Sequence, residues 1–99
     1  NVSKLASYLD ANYRIVMNQL FGSKEVSIVD REFYLSKIKS KEWGGDKRTV
    51  VIHQTLLNGL TACSKVSFIG KKSTFVSLIT LVKDVKGSWK IVSDVPTIK

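Results

Sequence analysis

The residue pattern predicts an α+β fold, with an N-terminal amphipathic helix packed on a curved antiparallel β-sheet. Three observations predict it: an apolar stripe at helical spacing opens the chain, alternating runs fill its second half, and turn residues separate those runs. One helix burying a stripe against one face of a sheet is the simplest two-layer solution for a chain of 99 residues.

The helix is expected over residues 3–22. Leu5, Leu9, Tyr13, Val16 and Leu20 form the stripe, and Lys4, Asp10, Arg14 and Asn18 lie opposite. Ser3 suits the N-cap, and Gly22 is placed to end the helix in a left-handed conformation. Asn12 falls inside the stripe, where its side chain would either bond backbone or face a pocket as a polar group. Between Lys24 and Trp43 two patterns compete. Extended structure is expected near Val26–Val29 and again near Phe33–Lys39, while Asp30 could instead cap a short helix from Arg31 to about Lys41. Residues 43–48, with Gly44-Gly45 and Lys47-Arg48, read as an exposed loop.

The remainder is β-rich. Thr49–Leu57 is a strand, and Asn58-Gly59 suits a hairpin turn or a bulge. Leu60–Ile69 alternates, with Leu60, Ala62, Ser64, Val66 and Phe68 on one face and Thr61, Cys63, Lys65, Ser67 and Ile69 on the other. A turn at Gly70–Ser73 leads to strands over Thr74–Asp84 and Ser88–Val95. Pro96 is expected to close the sheet, because proline cannot donate to a central ladder.

Composition excludes several classes of function. Cys63 is the only cysteine and His53 the only histidine, so neither an internal disulfide nor a cysteine- or histidine-rich metal site can form. No cofactor is expected, since no glycine-rich phosphate loop is present. No apolar run of about 18 residues spans a bilayer. The 16 basic against 8 acidic residues, a net charge of +8, favour anionic partners such as nucleic acid or an anionic membrane surface. Lys47, Arg48, Lys71, Lys72 and Lys86, all in predicted turns, are the candidate anion-contacting residues.

Residues 60–94 end in a strand of the form Gly-x-Trp-x-Ile-x-x-Asp, at Gly87, Trp89, Ile91 and Asp94. This stretch resembles the end of nuclear transport factor 2-like domains, which have a cystatin-like α+β fold. The resemblance implies that fold over a single domain, residues 1–99, which could be the soluble part of a longer chain. Family members include isomerase-like enzymes and non-catalytic assembly modules, among them scaffold subunits of type IV secretion and conjugation machines.

Residue chemistry favours the second group. An isomerase needs a buried carboxylate and a donor pair, yet Asp84 and Asp94 read as strand ends or turns, and no acid lies on the interior alternation of residues 60–82. A His53–Cys63 nucleophile pair is conceivable, but a half-buried strand cysteine and an edge histidine explain both residues more simply. The expected function is therefore non-catalytic protein–protein assembly, in a bacterial conjugation or secretion scaffold on the extracytoplasmic side of a membrane. Partners would be other subunits or a second copy, bound through Trp43, Thr61, Lys65, Lys83 and Lys90. A basic nucleic-acid-binding domain is one alternative. The other is a small-molecule or isomerase-like pocket, which requires a cavity with polar groups between helix and sheet.

Overall fold

Alternation along five long strands, more than any helical stripe, organises this chain. The computed structural model describes residues 2–45 and 47–99, and among them it holds two helices and six strands. In chain order these are α1 (Val2–Ser7), β1 (Leu9–Asn18), β2 (Val26–Asp30), α2 (Arg31–Lys39), β3 (Thr49–Asn58), β4 (Thr61–Ile69), β5 (Thr74–Lys83) and β6 (Trp89–Ile98). The strands form one sheet in the order β2-β1-β6-β5-β4-β3. β1 runs parallel to β6, and every other neighbouring pair is antiparallel. Asp46, within the loop expected at residues 43–48, lies outside the described residues, as does Asn1.

The long N-terminal helix is the largest correction. Helix survives only over Val2–Ser7, and residues 9–18 are a strand. The same residues satisfy both patterns: Leu9 and Tyr13 fit a helical stripe, while Tyr13, Ile15 and Met17 alternate inward with Arg14, Val16 and Asn18 outward. Tertiary pairing decides between them. β1 bonds β2 on one side and β6 on the other, so its backbone is satisfied twice over and β6 becomes an interior strand. Gly22 does adopt a left-handed φ of +81°, but in the turn joining β1 to β2. Asn12 is exposed and is held through its backbone, its N–H donating to Asp10 Oδ1 and its carbonyl accepting from Arg14.

Residues 26–41 contain both competing elements in succession. β2 is a strand, and Asp30 then caps α2, its Oδ1 accepting from the Phe33 N–H at 2.9 Å. Phe33–Lys39 is therefore helical rather than extended. α2 packs on β1 and β2, and Arg31 ties it to α1 by donating to the Ala6 carbonyl.

The last strand also differs from expectation. It continues through Pro96 to Ile98, with Pro96 opposite Ser77. Proline is tolerated because the ladder between β6 and β1 ends at Asp94, two residues earlier. Trp89 begins β6 opposite Lys83, at the end of the strand, and is 37% exposed. The buried apolar residues are Leu9, Tyr13, Leu20, Ala62 and Val66. They lie under or beside α2 and along the inner face of β4. β3, an edge strand, is exposed along its whole length.

Candidate functional site

Between α2 and the inner face of the sheet lies a cavity of about 540 Å³, open to solvent at one side. Its floor follows from strand alternation. β1 contributes Tyr13, Ile15 and Met17; β4 contributes Phe68; β5 contributes Phe75 and Ser77; β6 contributes Asp94 and Pro96. α2 and the chain leaving it form the opposite wall. Trp43 N–H donates to the Lys37 carbonyl, folding the chain back so that Trp43 joins the helix. Its ring meets Phe33 edge-on at 5.8 Å and lies 6.3 Å from Tyr34, which in turn sits 5.4 Å from Tyr13. Phe21, Glu42 and Arg48 stand at the rim.

The cavity is mostly apolar, and its polar groups are few and specific. Ser77 is 1% exposed. Asp94 lies beside it on an interior strand, in register with Ile15 on β1 and Ile79 on β5. One carboxyl oxygen, Oδ1, is buried with no hydrogen-bond partner among the described residues. Burial raises the Asp94 pKa above the ordinary carboxylate value, with the Ser77 hydroxyl pulling the other way. The Tyr13 phenol is likewise pushed up, first by burial, then by the Asp94 and Tyr34 charges. Tyr34 is raised by burial and by Asp94, against an opposing pull from Arg48. At neutral pH both phenols are therefore intact O–H groups, able to donate or accept. Among the described residues no cluster of metal-ligating side chains exists.

Arg48 is built into the rim from two sides. Its side chain runs past Gly70, where an added Cβ would lie 3.7 Å from Cγ and Nε. Its guanidinium carbon then sits 5.0 Å above the Phe75 ring.

The structure redistributes the residues singled out from sequence. Trp43, expected on an exposed interaction surface, is a half-buried wall of the cavity. Thr61 and Lys65 are exposed on the outer face of β4, and Lys83 is exposed at the end of β5. Lys90 is half-buried, its ammonium bonded to the Ser7 carbonyl at the end of α1. The anion-contacting set divides: Thr49 pairs with Ile69, which brings Lys47 and Arg48 to the same end of the sheet as Lys71 and Lys72. Lys86, in the turn between β5 and β6, is at the opposite end. His53 sits where the β3–β4 register shifts and bonds Ser67 Oγ at 2.6 Å, whereas Cys63 faces Leu56 in register, so the two form no pair.

Asp94 is the residue that sequence reasoning placed wrongly. It is a cavity group on an interior strand, and not a strand end. Phe68 and Phe75 are cavity walls, half-buried and not sealed in a core.

No protein-family model matches the sequence, and no curated protein matches it. Solved structures do. A nuclear transport factor 2-like protein of unknown function from Silicibacter pomeroyi aligns with 100% of this chain and 80% of its own, at 18% identity and a TM-score of 0.80. Another from Shewanella baltica covers 100% and 78%, at 13% identity and a TM-score of 0.80. A Shewanella frigidimarina protein provisionally named a ketosteroid isomerase covers 98% and 81%, at 20% identity and a TM-score of 0.66. Identities this low speak for the fold alone, and the fold is that of a nuclear transport factor 2-like domain.

Proposed function

We propose that this domain is a small-molecule-binding module whose ligand occupies the cavity between α2 and the sheet. The observation that carries this reading is Asp94 Oδ1, a buried acceptor without a partner among the described residues in a mostly apolar cavity. Leaving such a group unsatisfied costs about 1–3 kcal/mol, which a hydrogen-bonding ligand returns. The volume of about 540 Å³ suits a drug-sized molecule, and aromatic walls with a few convergent polar groups are usual for such sites. Asp94, Ser77 and the two phenols recognise a polar end of the ligand; Ile15, Met17, Phe68, Phe75 and Trp43 enclose its apolar body.

The role proposed is recognition without turnover. Asp94 is the one deep carboxyl among the described residues, and Glu42 at the rim is held in an ion pair with Lys37. That a protein of the same fold carries the provisional name ketosteroid isomerase supports a small-molecule role more than a purely structural one. The test is titration with the neutral fluorophore N-phenyl-1-naphthylamine. One site per chain is expected, lost in Met17→Trp, which fills the cavity; absence of binding to a folded wild-type chain overturns the reading.

A second reading rests on a separate surface. The outer sheet face exposes Leu56, Ile69, Leu78 and Val95, and edge strand β3 is exposed throughout. Such a face supports subunit assembly, including the secretion or conjugation scaffold role that the sequence resemblance implies.

A further inference from the structure

The cavity mouth carries a cation with no carboxylate partner among the described residues. Arg48 makes no ion pair or hydrogen bond with any described residue, and Glu42, which also lines the cavity, pairs with Lys37. Arg48 is exposed, but its stem passes Gly70 and its guanidinium carbon lies 5.0 Å over the Phe75 ring. From there its charge reaches Tyr34 on the facing wall, partly opposing the rise that burial and Asp94 cause in that phenol. A guanidinium beside a ring and without a partner among the described residues keeps its N–H edges for a bidentate acceptor.

The surroundings reinforce the sign. Lys47, Lys71 and Lys72 stand at the same end of the sheet, so they add positive charge on the side where Arg48 lies. Inside, the cavity changes character at once to aromatic and aliphatic walls, and ends on Ser77 and Asp94. An anion at the deep end would face the Asp94 carboxyl, while an anion at the mouth meets Arg48. The polarity of the site is therefore cation outside, apolar walls between, and a hydrogen-bonding end at Ser77 and Asp94 inside.

Resting on the cavity reading above, we propose that the ligand is an amphipathic organic anion. Its carboxylate, sulfonate or phosphate stays at the mouth on Arg48, its apolar body lies between the aromatic walls, and a hydroxyl or carbonyl oxygen reaches Ser77 and Asp94. Arg48 sets the ligand's direction of entry as well as its charge class.

Two probes with one skeleton test this: 1-anilinonaphthalene-8-sulfonate, and its uncharged counterpart N-phenyl-1-naphthylamine. The readout is the ratio of their affinities, so that any general loosening of the cavity cancels. Wild-type protein should prefer the sulfonate. In Arg48→Gln that preference should fall about tenfold or more, the range for losing a charge-assisted hydrogen-bonded pair. Lys86→Gln, which removes one positive charge at the far end of the sheet, should leave it unchanged. A wild-type ratio near one, or a preference that survives Arg48→Gln, overturns the anion proposal while the cavity reading stands. If neither probe binds the wild-type chain, the cavity reading fails as well.

Discussion

Asp94 is held between Ile15 and Ile79 on an interior strand, where burial raises its pKa. Its linkage to stability has a definite sign. Between the ordinary carboxylate pKa and the raised folded value, the native state binds more protons than the unfolded chain, so stability falls as pH rises through that window. Asp94→Asn should flatten this part of the stability–pH profile and be at least as stable as wild type at neutral pH. Denaturant melts across pH 3–8, taken as the difference between the two proteins, check it. That difference isolates Asp94 from Asp84, whose pKa is lowered by the Ser88 and Lys86 backbone N–H groups and which contributes the opposite slope in both proteins. A profile shared by both proteins contradicts the buried assignment. The placement of Asp94 was hidden in the sequence for a specific reason. Strict alternation from Trp89 and Ile91 puts Ser93 and Val95 on the inner face and Asp94 outside. The β5–β6 register skips Val92, passing from Leu81 opposite Ile91 to Thr80 opposite Ser93, and this bulge turns Asp94 and Pro96 inward. No glycine or proline marks that position.

At the scale of elements, α2 carries one wall of the cavity and is fixed at both ends by single residues. Asp30→Ala removes the bond from the Phe33 N–H and should cost about 1 kcal/mol. Lys41, just past the helix, is exposed at a φ of +64°, a conformation that favours glycine. Lys41→Gly should therefore stabilise by about 0.5–1 kcal/mol, the left-handed strain relieved less the added freedom of the unfolded chain. Chemical denaturation at an unchanged m-value checks both, and opposite signs are expected for the two variants. This region was half legible. Asp30 announces a cap, and β-branched Val26, Ile28 and Val29 announce a strand, so both readings were present and succession resolves them. β1 was not legible, because its apolar residues satisfy periods of 3.6 and 2 together. Only the need of β6 for a neighbour on its second side selects the strand. The three hairpin strands β3, β4 and β5 were legible nearly to the residue, since Asn58-Gly59 and Gly70–Ser73 punctuate clean alternation.

For the whole molecule, two faces of one sheet carry two different possibilities. The outer face, with Leu56 and Leu78 each more than half exposed, supports assembly, and placing a second copy there must overcome repulsion between chains of net charge +8. If that face assembles, sedimentation at moderate salt should show a dimer or larger species that Leu56→Lys with Leu78→Lys reduces to monomer. A wild-type monomer at high concentration removes self-assembly. The inner face carries the central claim, that the cavity against α2 holds a ligand. A two-dimensional NMR titration with N-phenyl-1-naphthylamine tests it most directly, because it reports which residues the probe reaches. Shift changes concentrated on Tyr13, Ile15, Met17, Tyr34, Ser77 and Asp94 are the predicted result. Changes confined to the outer-face positions Leu56, Cys63 and Leu78, or none at saturating probe, would contradict it.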